Sequence, residues 1–175
     1  RGEAPPPSRH PRIHDGTAVP PERTAAAFQG VPGAEFPFYT RYLCRLDFGL
    51  DRGVATRLPA AIGKAYPNLV SAVDQDGNEL ASIRLPDITA PLATHTGWNT
   101  RHPDAGGPGQ TIPMIGSTIP FAATRAGREA SGDPRASIEE RYATRDGYLE
   151  QVRGAARSLV DAGYLLSEDV DTIVH

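Results

Sequence analysis

The sequence predicts an α+β chain with much loop: a Pro-rich N-terminal strap, a small antiparallel β hairpin or sheet, and a C-terminal helical tail. Three observations predict it. Gly contributes 18 residues and Pro 17, about one residue in five, against roughly 12% in ordinary domains. Two β-rich runs flank a turn containing Asp76-Gly77, and only the final stretch carries apolar residues at helical spacing. At 175 residues the chain suits one domain, able to bury ~70% of its unfolded surface. Its parts are a strap at 1–40, a β-rich part at 41–100, a loop at 101–122 and a helical tail at 123–175.

The strap, "EAPPPSRHPRIHDGTAVPPERTAAAFQGVPGAEFPF", is dense in proline, which fixes φ and removes a donor. Neither a helix nor a central strand is expected there. Phe28, Val31, Phe36, Phe38, Tyr39 and Tyr42 argue for a segment wrapped on a surface, since disordered linkers are poor in aromatics. That surface is expected to lie outside the chain.

"RYLCRLDF", Arg41 to Phe48, reads as a short strand, with Cys44 a buried inert thiol. Leu69–Val73 and Glu79–Leu85 read as the arms of a hairpin around Asp76-Gly77, because Asp-Gly supplies the φ > 0 that such loops need. Pro86 and Pro91 bracket a further extended run leading into "ATHTGWN".

The tail is helical. "AATRAGREASG" predicts a short helix ahead of Pro134, and Ser137-Ile-Glu-Glu140 has the form of a capping box. Thr144 caps a long helix ending near Ala162, where Gly163 favours left-handed φ. Tyr148, Val152, Ala155, Ala156, Leu159 and Val160 make its apolar face, with Asp146, Glu150, Arg153, Arg157 and Asp161 opposite. Ser167-Glu-Asp opens another helix running to His175.

Composition narrows the function classes. The net charge is −3 with signs interspersed, and Lys64 is the single lysine, so nothing favours nucleic acid or an anionic membrane surface. A lone cysteine permits no internal disulfide, and no apolar run approaches the ~18 residues of a membrane span. The chain starts with Arg1 and its only methionine is Met114, so a piece of something longer is expected.

Motifs that carry chemistry are sparse. The Gly-x-Ser-x-Gly of α/β-type serine hydrolases is absent; "IGSTIP" around Ser117 lacks the second glycine. "HPRIH" sets His10 and His14 four apart with Asp15 following, but Pro11 denies them a shared helical face. "DQDGNE" misses calcium-loop spacing and reads as turn chemistry. No metal or cofactor is therefore expected. "ATHTGWN" remains: His95 is a candidate general base, Trp98 can stack on an apolar ligand and Asn99 can donate to a carbonyl. The structural alternative is a turn at Gly97 whose Trp fills a core while Thr and Asn satisfy the backbone.

A series of phrases taken in order resembles one family. "PPPSRHPRIHDGTAVP", "AFQGVPGAEFP", "LDFG", "YPNLVSAVDQDGNELASIRLPDITAPLATHTGWN", "GSTIPFAATRAGREASGDPRASIEERY" and "YLEQVRGAARSLVDAGYLLSEDV" resemble the C-terminal part of bacterial alpha/beta hydrolase domain-containing proteins. The resemblance implies a fragment of a larger α/β-hydrolase-like protein, with nucleophile and catalytic His in an upstream core and no catalytic residue here. That core would be the chain's partner and a small-molecule ester the substrate. His95, Trp98 and Asn99 would line the substrate pocket. Where this chain has His95 the family pattern implies an aromatic, commonly Tyr, which points to packing or pocket lining rather than a proton shuttle. The rival class is a non-catalytic interaction or structural module.

Overall fold

A computed structural model describes residues 6–37, 44–112 and 114–174. Among them the fold is α+β, with small two-stranded antiparallel sheets and six helices.

The strap is more regular than its prolines predict. β1 (Ala18–Val19) pairs antiparallel with Val70–Ser71, and α1 (Pro21–Ala26) follows. A helix forms because Pro21 occupies the first turn, where its missing N–H costs nothing. The helix delivers Phe28 and Val31 to buried positions. Phe28 and Phe36 then pack on Trp98, with ring centroids 5.2 and 5.6 Å from it. The strap does wrap, but the surface it finds is within the chain. Phe38, Tyr39 and Tyr42 lie outside the described residues, as do Arg41 to Leu43 of the expected strand.

β2 (Cys44–Asp47) forms that strand among the described residues but stops short of Phe48; it pairs with β5 (Ala61–Ala65), while β3 (Leu50–Asp51) and β4 (Val54–Ala55) close the tip. Leu50, Val54, Leu58 and Ile62 of this arm are exposed. Cys44 is half-buried rather than buried.

The Asp76-Gly77 turn is present, but its arms differ from expectation. The first, β6 (Val70–Ser71), takes β1 as partner. The second leaves the ladder after the Leu80 N–H reaches the Ala72 carbonyl at 3.0 Å. Ser82 then adopts φ +80° and donates to the Arg9 carbonyl. Arg84 folds back onto Asp74 and the carbonyls of Glu79 and Ile88, so Glu79–Leu85 forms no strand. The run expected to be extended after Pro86 is instead α2 (Pro86–Thr89), again with proline in its first turn.

"ATHT" is a strand, β7 (Ala93–Thr96), paired in register with β8 (Ser117–Pro120) inside the stretch expected to be loop. A bridge between Thr100 and Thr111 extends the ladder outward. Gly116 is required there, because a Cβ would sit 2.2 Å from the Thr96 carbonyl oxygen.

The helical tail follows its local signals. α3 (Arg125–Ser131) is capped by Thr124, and α4 (Ile138–Arg141) by the Ser137/Glu140 capping box. α5 (Arg145–Asp161) is capped by Thr144, with Gly163 at φ +77° just beyond it. Val152, Ala155, Ala156 and Leu159 are its buried stripe. Ser167 opens a short 3-10 turn leading into α6 (Val170–Val174); His175 is outside the described residues. Val152 and Val174 pack on Ala90 at the end of α2, with Tyr148 and Leu149 alongside, to form an apolar core.

Candidate functional site

β7 is the centre of the site, held on one edge by β8 and on the other by a side chain. Asn78, fully buried, donates through Nδ2 to the Ala93 carbonyl at 3.2 Å and accepts the His95 N–H at 2.8 Å. Its amide thus offers the donor and acceptor that a neighbouring strand would present. Asn78 is fixed by the turn before it, where Asp74 Oδ1 accepts both the Asp76 and Asn78 N–H groups at 3.0 Å. Asp76 pairs with Arg141 through both carboxylate oxygens, and its carbonyl accepts the Thr94 hydroxyl.

Arg135 locks the other face. Its Nε and one terminal nitrogen clasp Asp133 at 2.9 and 2.7 Å. The remaining donors reach Thr94 Oγ1 at 2.8 Å and the carbonyls of Ile119 and Pro120 at 3.0 and 3.2 Å. All five guanidinium N–H groups are therefore used, the condition under which burying this charge is tolerable. The Phe121 ring lies beneath both cations, 5.0 Å from the Arg135 guanidinium and 4.1 Å from that of Arg141. Burial works against ionisation of Asp133, yet the hydrogen bonds and charge of Arg135 hold its carboxyl below the ordinary range.

A cavity of about 160 Å³ opens beside β7. Phe28, Phe36, Val73 and Trp98 give it apolar walls, and His95 and Glu79 are its ionisable members. The structure brings His95 and Trp98 together there. Asn99 does not line it; its carbonyl accepts the Ile112 N–H at 2.8 Å in the outward hairpin. The polar partner of the His95 ring is the Thr118 hydroxyl, 3.4 Å from Nδ1 on the paired strand. Trp98 fills the aromatic cluster, and its carbonyl accepts the Thr96 and Ser117 hydroxyls. The turn's hydroxyls do satisfy backbone.

Residues 1–175 match the family described as alpha/beta hydrolase domain. The chain belongs to that family. No curated protein and no solved structure matches it. The resemblance of the ordered phrases is thus borne out at the level of the family.

In this alpha/beta hydrolase domain chain Ser117 does not face His95. It pairs with Thr96, whereas His95 pairs with Thr118, so strand alternation sends Ser117 and His95 to opposite faces. The Ser117 N–H and hydroxyl are spent on Thr96 Oγ1 and the Trp98 carbonyl. His10 and His14 are exposed. Among the described residues no group of three or more His, Cys, Asp or Glu is placed to hold a metal. No helix among them is long and apolar enough to cross a membrane.

Sequence reasoning missed Asn78, Arg135, Asp133 and Arg141 as the frame of the site. The one usable signal was the neighbouring capping box. There the N–H and hydroxyl of Ser137, aided by Arg128, lower the Glu140 carboxyl from 4.5 to about 2. A carboxylate whose pKa falls on folding stabilises the fold above its unfolded value, and that contribution is lost as pH falls through the folded one. Urea midpoints should therefore decline as pH drops from about 4.5 to about 2. Ser137→Ala should flatten that decline; an unchanged profile would remove Glu140 as its source.

Proposed function

We propose that this chain is a C-terminal accessory region of a serine-type ester hydrolase whose nucleophile lies upstream, and that the His95–Trp98 cavity receives a small group of the ester. The observation that carries the reading is a pairing of facts. The chain belongs to an alpha/beta hydrolase domain family, yet its sequence holds no nucleophile elbow and its nearest fragment, Ser117, is tied into a strand. On this reading the chemistry comes from elsewhere in the protein, while this region supplies shape.

Size decides what the cavity receives. About 160 Å³ is well below the ~300–1,000 Å³ of sites that hold a whole drug-sized ligand. Its aromatic walls suit a short acyl or alkyl group, with the His95 ring as the polar contact on the side of the ester carbonyl. Asn99 follows on the same bend and shapes it from outside the lining.

The test uses a form of the protein extended upstream and a series of p-nitrophenyl esters. Trp98→Ala should lower kcat/KM for short acyl esters by about tenfold, near 1.4 kcal/mol, and shift the preference toward bulkier acyl groups. His95→Phe, which keeps a ring, should hold the length preference while changing KM. An unaltered preference in Trp98→Ala, or an unchanged KM in His95→Phe, would contradict the pocket role.

A further inference from the structure

We propose that a second, larger cleft, walled by the N-terminal segment, the Leu80–Arg84 stretch and α5, binds an organic monocarboxylate with an apolar body. The cleft measures about 530 Å³, within the range of small-molecule sites. It stands apart from the His95 cavity, and the proposal does not rest on ester hydrolysis.

Its floor is apolar: Ala81, Ala155 and Leu159, all buried, face it. Its rim is cationic. Arg9 and Arg12 line the cleft, and among the described residues neither guanidinium has a hydrogen-bonded or ion-pair partner. Every other arginine of the site frame has one: Arg84, which also lines this cleft, is neutralised by Asp74 at 2.7 Å. The two rim cations spring from fixed backbone. The Arg9 carbonyl accepts the Ser82 N–H at 2.8 Å, and the Arg12 N–H donates to Thr17 Oγ1 at 2.8 Å. Arg9 is further positioned over the Tyr164 ring, 5.5 Å from its centroid, and Tyr164 is pinned by its hydroxyl to the Pro7 carbonyl at 2.5 Å. Pre-set cations lose less entropy on binding than free side chains do.

Charge selects the ligand. Asp15 is the one carboxylate lining the cleft among the described residues, and its Oδ1 accepts the Thr17 N–H and hydroxyl. Apart from the His10 imidazole and the paired Arg84, two guanidiniums against one carboxylate leave a single net positive charge, which matches a monoanion better than a dianion. A planar carboxylate also meets the guanidinium fork in bidentate fashion. The apolar floor then asks for a hydrocarbon body behind the charge.

Hexanoate is the probe, titrated calorimetrically into the 175-residue chain, with 1-hexanol and inorganic phosphate as comparators. Saturable hexanoate binding is expected, with both comparators at least about tenfold weaker, a difference near 1.4 kcal/mol. Arg9→Gln with Arg12→Gln should weaken hexanoate by tenfold or more while the far-UV spectrum and melt are retained. Ala162→Trp, at an exposed position of the cleft wall, should block it by bulk alone. Equal binding by the double variant, absence of saturable binding below about 10 mM, or phosphate binding as tightly as hexanoate would each overturn the proposal.

Discussion

Arg135→Met should be the most damaging single substitution in the described fold. The methionine fills similar volume but leaves Asp133, only 4% exposed, without its bidentate partner. Breaking a buried ion pair by removing one member costs about 3–5 kcal/mol, because the survivor's charge stays desolvated. The same change strips donors from Thr94 and from the carbonyls of Ile119 and Pro120, so β7 and β8 lose their common clamp. For a chain of this size a melting temperature lower by roughly 10 °C or more is expected. Adding Asp133→Leu to Arg135→Met should recover much of that loss, since no lone charge then remains. A double variant no more stable than Arg135→Met would show that the clamp, not the charge, carries the cost.

Gly77→Ala should rank second. Gly77 sits at φ +79°, a conformation that costs an L-residue roughly 1–2 kcal/mol. A Cβ there would also meet the Thr94 methyl at 2.9 Å and the edge of the Phe28 ring at 3.1 Å. Overpacking of this kind adds about 1–3 kcal/mol, for a total near 2–5 kcal/mol. The Phe28 ring bounds the His95–Trp98 cavity, so the substitution should disturb that site as well as lower the melting temperature. A melt within about 2 °C of the native chain would mean the turn and the Phe28 ring yield more easily than their packing implies.

What was legible in the sequence is what rests on neighbours along the chain. Thr124, Ser137 and Thr144 cap their helices through bonds three residues ahead, and the α5 stripe repeats with helical period, so both could be read without a structure. The Asp76-Gly77 turn was legible for the same reason. Its arms were not, because their partners are remote: Val70–Ser71 pairs with the strap, and Ser82 answers Arg9. Proline misled in the other direction, since Pro21 and Pro86 begin helices rather than forbid them.

The site was legible only in part. "ATHTGWN" stood out by its side chains, and His95 and Trp98 do line one cavity, but its strand partner β8 lay hidden in a stretch of loop composition. Asp76 meets Arg141 across 65 positions and Thr94 meets Arg135 across 41. Ordinary Asp and Arg residues at such separations carry no local pattern to announce that they pair.

The division of labour is the central claim, and labelling by a fluorophosphonate serine-hydrolase probe tests it most directly. The 175-residue chain and a form extended upstream would be treated side by side. The account predicts labelling of the longer form alone, unaffected by Ser117→Ala. Labelling of the 175-residue chain that Ser117→Ala abolishes would contradict it, and labelling of neither form would favour a non-catalytic interaction module instead.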